Sequence, residues 1–532
     1  MCQVDEDAHK DAQLETKAVL SVSQKCMKCK EGSAVLIIRV GDAFCGNCFR
    51  EYFVHKFRAM LGKNRLIFPG EKVLLSVSGG PASSALLSQV QEGLRRETSK
   101  KLRFVPGVIY VDEGAACGQS LEERGEVKSQ LESIFRASGF PFYIVHLEEV
   151  FNLPSSVLLS ASSASDRRNE SYKEAVDGFI QRASSGTQSE TRQGSSSYKE
   201  VQTLLSELST QEWSGEGGTV TNRSPPFTPE QTEAVRTLLA SVKTLTAREE
   251  LLKTLRQHLI LHTARVRGYS KVMMGDSCSR LAVKLLTNIS LGRGAFLAMD
   301  TGFSDTRYGD IAIVRPMREY SSKEIAFYNR MFKVPSVFTS ALDTKEPEKA
   351  SIHRLTESFI SKLQADFPST VSTIYRTSEK LNTACPRPIA DGELTEKCLL
   401  CLCALDTGAE EATAFHATLI SENLSRNRTP DTIPALGVAK QQCCASGGEQ
   451  KESCGDRVDG CHSVDRTSFT PELQTLLCYS CRLIIKDMTS VNSIPEYILS
   501  EAERRKRRAQ MKEEIQDFLL NPENDAGEVT VS

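Results

Sequence analysis

The stretch Val73-Leu74-Leu75-Ser76-Val77-Ser78-Gly79-Gly80-Pro81-Ala82-Ser83-Ser84 decides the fold. Its first five residues form a short apolar run of the kind buried on both faces of a parallel sheet. Two glycines then let the backbone turn tightly and approach a ligand closely, and a helix-compatible segment runs from Ala82 to about Leu94. Amides at such a helix start can hold an anion, with the hydroxyls of Ser78, Ser83 and Ser84 adding donors. No Gly-Lys-Ser/Thr follows, which excludes a Walker-type loop. A tight strand-to-helix turn with serine caps accounts for the same residues without a ligand.

Outward from this point the pattern repeats. Val108-Ile109-Tyr110-Val111 reads as a second strand ending at Asp112-Glu113-Gly114, Leu121 to Ala137 as a helix, and Phe142-Tyr143-Ile144-Val145 as a third strand. It resumes with a strand at Lys271-Val272-Met273-Met274-Gly275, a helix from Ser279 to Leu291 and a strand at Ile311-Ala312-Ile313-Val314. Strands alternating with helices at this spacing predict an α/β fold with a doubly wound parallel sheet. Two polar insertions interrupt the pattern, one Ser-rich at about 153–228 and one at about 406–466. One long helix is expected after Thr228-Pro229, carrying Val235, Leu238 and Val242 through Leu259 at helical spacing. The expected units are 1–69, a cysteine-rich module; 70–365, the α/β domain; and 366–532, a second cysteine-rich module with a helix from Glu496 to Leu520.

Of 17 cysteines, four lie in Cys26-Met27-Lys28-Cys29 and Cys45-Gly46-Asn47-Cys48, two Cys-x-x-Cys pairs separated by fifteen residues. That spacing suits one tetrahedral zinc site on two knuckles joined by a hairpin, with Ala34 to Val40 supplying a strand. Cys398-Leu399-Leu400-Cys401 and Cys478-Tyr479-Ser480-Cys481 form two similar pairs far apart in sequence, candidates for a second zinc site. Cys403 competes with Cys401 there, while Cys443, Cys444, Cys454 and Cys461 read as incidental. His55 is expected at a solvated helix position. The alternative for each pair is a redox couple or buried structural thiols.

Lys plus Arg number 66 against 68 Asp plus Glu, a formal charge of −2, which excludes a uniformly basic nucleic-acid coat. Any polyanion must meet local patches, and Arg504-Arg505-Lys506-Arg507-Arg508 is the densest; Arg95-Arg96 with Lys100-Lys101 and Arg103 is a second. A solvated helix face, partly neutralised by Glu501, Glu503, Glu513 and Glu514, explains the first run equally well. The longest apolar run, Ala34 to Val40, is short and broken by Arg39, and the start is acidic, so no membrane partner is expected and a cytoplasmic location is.

Ser78-Gly79-Gly80 after a buried strand resembles the Ser-Gly-Gly-x-Asp-Ser loop of the PP-loop ATP pyrophosphatases. Val108 to Gly114 looks like the next signature of their tRNA-thiolating branch, and Met274-Gly275-Asp276-Ser277 stands where that branch has a Gly-His-x-x-Asp-Asp stretch. Arg315-Pro316-Met317 and Lys323-Glu324-Ile325 are similar to its Arg-Pro-Leu and Lys-Glu-Ile segments. The match runs in order along nearly the whole chain outside the insertions. With the terminal cysteine pairs, it most closely resembles the accessory subunits of the wobble-uridine thiolation machinery.

The resemblance implies a heterodimer with a catalytic tRNA adenylyltransferase subunit, tRNA as substrate, and sulfur delivered by a thiocarboxylated ubiquitin-related modifier. The departures bear on the chain's own chemistry. Ala82 stands where the motif has Asp, Pro81 where Lys is common, and only Asp276 remains of the acidic pair. No central Cys-x-x-Cys exists, only Cys117 and Cys278. A methyl group cannot hold a metal, so ATP and magnesium are expected only through the partner, and zinc is the chain's own expected cofactor. Two other readings stay open: a self-sufficient ATP-dependent tRNA sulfurtransferase, and a zinc-stabilised interaction scaffold.

Overall fold

The computed structural model describes residues 25–38, 42–95, 101–159, 172, 176, 227–381, 397–405 and 473–515. Most of both polar insertions lies outside the described residues, as do Arg96, Lys100, Cys385, Cys443, Cys444, Cys454 and Cys461. Near the N-terminus a short antiparallel hairpin, β1 (Leu36–Ile37) and β2 (Ala43–Phe44), leads into α1 (Gly46–Asn64). The α/β body follows as β3 (Lys72–Ser76), α2 (Pro81–Arg95), β4 (Val105–Asp112), α3 (Leu121–Ser138) and β5 (Phe142–His146). After the first insertion come α4 (Pro229–Ala240), α5 (Leu245–Val266), β6 (Lys271–Met274), α6 (Cys278–Ser290), α7 (Leu297–Thr301), β7 (Ser304–Asp305) and β8 (Ala312–Val314). The helices α8 (Ser322–Met331), α9 (Ile352–Asp366), α10 (Pro368–Thr377), α11 (Tyr479–Lys486) and α12 (Glu496–Ile515) follow, with short 3-10 turns between some of the elements.

The main sheet has the order β5-β4-β3-β6-β8-β7 among the described residues. The chain starts at β3, winds outward to β4 and β5, then returns to the other side of β3 with β6. Such a reversal opens a crevice at the carboxyl ends of β3 and β6, where ligands bind in open α/β sheets. Every pairing is parallel except β7 with β8. That departure from the expected parallel sheet follows from length, because 306–311 is too short for a crossover and only an antiparallel return fits.

Alternation along β3 divides the core. Val73, Leu75 and Val77 point to one face with Phe49, Phe53, Leu86, Val90, Phe135 and Tyr328, the layer of α1, α2, α3 and α8. Leu74 points to the other, with Val235, Leu255, Leu259, Ile484 and Ile498 of α4, α5, α11 and α12. The two cysteine modules thus cover opposite faces of one sheet.

The long helix expected after Pro229 is two helices. Thr244 caps α5, its side chain accepting from the Ala247 amide. The intervening turn is held from α11's end: the Lys243 amide bonds the Asp487 carbonyl at 3.1 Å, and the Asp487 carboxylate accepts from the Thr244 amide and hydroxyl at 2.7 and 2.6 Å. A tertiary contact overrides the continuous apolar periodicity.

Candidate functional site

The loop after β3 lies at the crevice. Gly79 takes φ +84°, a conformation open to glycine, and its carbonyl accepts from the Val337 amide at 2.9 Å. Gly275, just beyond β6, has no side chain for a second reason: a Cβ there would stand 3.0 Å from the Ala82 carbonyl oxygen. The serine hydroxyls turn inward. Ser83 Oγ donates to the Gly80 carbonyl at 3.0 Å, Ser84 Oγ to the Gly79 carbonyl at 3.1 Å, and Ser78 Oγ lies 3.3 Å from Ser83 Oγ. The loop stabilises itself.

The acidic groups at the neighbouring strand ends are also engaged. Asp112 Oδ2 accepts from Arg124 Nε at 2.9 Å and lies 3.0 Å from His146 Nδ1. Arg124 reaches on to Glu148 through Nη1 at 2.7 Å and Nη2 at 3.0 Å, beneath the ring of Phe227. Burial works against ionisation of Asp112, but His146 and Arg124 outweigh it and hold the carboxyl below its usual value. Glu113 is gripped by Arg256, whose Nη2 donates to Oε2 at 2.9 Å. Asp276 lies 3.3 Å from Arg315 Nε. Cys117 donates to the Ser340 carbonyl at 3.3 Å, and its thiol is pushed up to about 12, first by burial and then by Glu113. Cys278 is buried at the start of α6.

The two cysteine groups are assembled by one device used twice. In the first, Lys25 bridges Ser33, the Cys26 amide bonds the Gly32 carbonyl at 2.7 Å, and Lys30, at φ +61°, returns its amide to the Cys26 carbonyl at 2.8 Å. In the second, Lys397 bridges Ala404, the Cys398 amide bonds the Cys403 carbonyl at 2.7 Å, and Leu402, at φ +58°, returns its amide to Cys398 at 3.1 Å. The partner pair sits at a helix start each time: Cys45 is the N-cap of α1 and Cys478 the N-cap of α11, neither with a side-chain cap bond.

Within Cys26, Cys29, Cys45 and Cys48, and within Cys398, Cys401, Cys478 and Cys481, the sulfurs all lie within 4.8 Å of one another. A tetrahedral zinc with Zn–S of about 2.3 Å has sulfur–sulfur edges of about 3.8 Å. Cys29 Sγ to Cys45 Sγ is 3.9 Å and Cys401 Sγ to Cys478 Sγ is 3.5 Å. All eight thiols are free of disulfides, so the donor sets fit a single metal ion each. Cys403 stands outside the second group, its Sγ accepting from Arg307 Nη1 at 2.9 Å. In the first group Cys26 is brought down to about 6: burial opposes this, and the Cys29, Cys45 and Lys28 amides prevail.

Residues invisible to sequence reasoning anchor the second knuckle. His258 of α5 is 1% exposed, its Nε2 is 2.8 Å from the Leu400 carbonyl and its Nδ1 2.6 Å from the Tyr497 hydroxyl. A carbonyl only accepts, so Nε2 carries the proton and Nδ1 accepts, an assignment made from the network. Burial keeps the ring neutral, with its pKa lowered to about 4. No signal marks such a histidine beforehand, because both partners are distant in sequence.

The basic run on α12 divides. Arg504 Nε and Arg505 Nε both donate to Glu501, at 2.7 and 2.8 Å, and Arg505 also bonds the Lys397 carbonyl beside the knuckle. Lys506, Arg507 and Arg508 are exposed, Arg507 lying 3.8 Å from Glu503. His55 is exposed on α1, as expected. No helix among the described residues is long and apolar enough to cross a membrane.

A family model described as cytoplasmic tRNA 2-thiolation protein 2 matches residues 351–483. The protein of that name from Danio rerio is 56% identical over 529 residues, covering 99% of this chain and 100% of its own length. The chain belongs to the cytoplasmic tRNA 2-thiolation protein 2 family. The Homo sapiens member is 52% identical over 531 residues, with 99% of each chain covered. Among solved structures, the U34-tRNA thiolase NcsA from Methanococcus maripaludis with its [4Fe-4S] cluster is similar at 14% identity and a TM-score of 0.41, over 70% of this chain and 95% of that one.

Proposed function

We propose that this chain is the non-catalytic subunit of a cytoplasmic complex that 2-thiolates wobble uridine in tRNA. Its partner is a catalytic PP-loop adenylyltransferase, which activates the uridine oxygen with ATP and magnesium. Sulfur, carried by a thiocarboxylated ubiquitin-related modifier, then displaces AMP. The chain's own loop, Ser78, Gly79, Gly80, Ser83 and Ser84, is a degenerate PP-loop.

One observation carries this reading. Ala82 offers no carboxylate, and the acids that remain nearby, Asp112, Glu113 and Asp276, are each held by an arginine. Arginines therefore compete with magnesium for these three acids, through hydrogen bonds at Asp112 and Glu113 and an ion-pair contact at Asp276. The two four-cysteine groups take zinc, with Cys26, Cys29, Cys45 and Cys48 on one face of the sheet and Cys398, Cys401, Cys478 and Cys481 on the other. Zinc rather than a cluster suits sulfurs this close, since a cubane spreads its thiolates over separate irons. Arg507 and Arg508, with Lys506, supply phosphate contacts to tRNA; Arg504 and Arg505 also hold α12 in place.

The deciding experiment incubates the purified chain, and separately its complex with the catalytic relative, with ATP, tRNA and the thiocarboxylated ubiquitin-related modifier. AMP, pyrophosphate and 2-thiouridine are expected from the complex alone. Formation of AMP and pyrophosphate by the isolated chain overturns the accessory reading. Metal analysis of the reduced, folded chain is expected to return about two zinc, one for each four-thiolate group.

A further inference from the structure

Phe338 is 76% exposed, more than any other large apolar side chain among the described residues. The backbone on either side of it is pinned to the loop after β3. The Val337 amide donates to the Gly79 carbonyl at 2.9 Å, and the Thr339 hydroxyl to the Ser78 carbonyl at 3.4 Å. One residue further on, the Ser340 carbonyl accepts from Cys117 Sγ. The ring thus stands beside the crevice on a backbone tied down at three points. Pro335 and Ser336 before it are exposed, and Thr339 and Ser340 after it are half-buried. It is a single aromatic in a polar strip, unlike the contiguous apolar centre of a protein interface.

Cations lead up to the ring. Arg330 lies on the last turn of α8, and Lys333 follows it at φ +51°; both are exposed. The first cysteine group abuts this end of α8. A Cβ at Gly46 would stand 3.2 Å from Met331 Cε, and one at Gly32 would stand 3.2 Å from Cys45 Cβ. The knuckle presents Lys28 and Lys30 to solvent, Lys30 at φ +61°, with Glu31 the exposed acid beside them. The side chains of Lys28, Lys30, Arg330 and Lys333 make no hydrogen bond or ion pair among the described residues. Glycine enters a left-handed turn without the strain that a lysine side chain brings there, so neither Lys30 nor Lys333 is explained by the turn it occupies.

We infer that Phe338 is a stacking platform for an unpaired base of tRNA, with Lys333, Arg330, Lys30 and Lys28 meeting the phosphates that lead to it. This names a contact surface within the tRNA reading proposed above and rests on that reading. An aromatic face beside a row of cations is how proteins hold single-stranded nucleic acid: stacking accepts any base, and the cations neutralise the backbone. The chain from Lys333 to Phe338 spans at most about 18 Å, so cation and ring can engage nearby nucleotides of one strand. The arginines of α12 are a separate contact, because α12 packs on the opposite face of the sheet.

The test titrates the full-length chain, in complex with the catalytic relative, with an unmodified tRNA transcript. Phe338→Ala should weaken binding about 5–150-fold, the loss of one stacked base. Lys30→Gly with Lys333→Gly should lower the log–log salt slope by about two, yet leave Tm unchanged or raised because glycine relieves both turns. Phe338→Trp should keep wild-type affinity, and its emission, taken as the difference from wild type, should be quenched by tRNA. Wild-type affinity in Phe338→Ala overturns the inference and leaves the proposed function standing. Emission at position 338 that responds to the catalytic relative alone, and not to tRNA, assigns the ring to a protein interface and also overturns it. A wild-type complex with no salt-dependent tRNA binding removes the proposed function, and this inference with it.

Discussion

Arg124→Met tests whether the carboxylates at the strand ends are structural. The Arg124 side chain is 4% exposed, Asp112 8% and Glu148 0%, so the substitution strands two buried carboxylates. Removing one partner of a buried ion pair typically costs about 3–5 kcal/mol, against ~0–1 kcal/mol for an exposed pair. The guanidinium also lies 4.1 Å from the Phe227 ring centroid, an interaction of the class worth roughly 0.5–2 kcal/mol. At ~2–4 °C per kcal/mol for a body of ~150–250 residues, the ion-pair loss alone lowers Tm by roughly 6–20 °C. The triple variant Arg124→Met, Asp112→Asn, Glu148→Gln should recover much of this, since no charge is left buried. The pH dependence has a fixed sign. Asp112 titrates below its unfolded value, so its contribution is present above a pH of about 4 and lost as pH falls through the folded value. Arg124→Met should flatten that acid-side loss. Thermal unfolding by far-UV circular dichroism at neutral pH and at a series of pH values below about 4 measures both effects. A Tm shift under ~2 °C at neutral pH would mean that these acids are solvated and free to bind ligands, contrary to the proposed function.

Ala82→Asp should confer no formation of AMP from ATP on the isolated chain, because Asp112, Glu113 and Asp276 stay paired with arginines; radiolabelled nucleotide chromatography reads this directly. Arg507→Glu with Arg508→Glu should weaken tRNA binding by the complex. The log–log salt slope should fall by about one for each phosphate no longer neutralised, measured by titration at several salt concentrations. Thermal stability should be unaffected, since both side chains are exposed. His258→Phe leaves the Leu400 carbonyl and the Tyr497 hydroxyl buried without their partner, at about 1–3 kcal/mol each, and should loosen the C-terminal knuckle. Hydrogen exchange at 397–405 and 476–486 checks it; protection equal to wild type refutes the role.

How much of this was legible in the sequence depends on the distance over which each signal acts. The run Val73 to Val77 and the turn at Gly79 are local statements, and the structure places β3 and the loop there. Cysteine spacing is local as well, although the partner of Cys401 lies 77 positions away at Cys478. The same periodicity misled at Ser241 to Thr244, where the distant Asp487 holds the turn whose Thr244 caps the second helix. Arg124, Arg256 and Arg315 were unreadable as partners of the strand-end acids. An arginine on a helix carries no mark of the carboxylate it will meet after folding. The basic run on α12 was visible as composition, but its division into anchoring and exposed members required the positions of Glu501 and Lys397.

The knuckle that joins Cys401 to Cys478 makes the chain tolerant of length. Whatever lies between these residues begins and ends at one pinned point on the sheet's far face. Closing a flexible loop there costs only about 0.6 kcal/mol for each doubling of its length. A flexible insert closed at such a pinned point would therefore cost the body little, and the clasp would accept an inserted reporter domain.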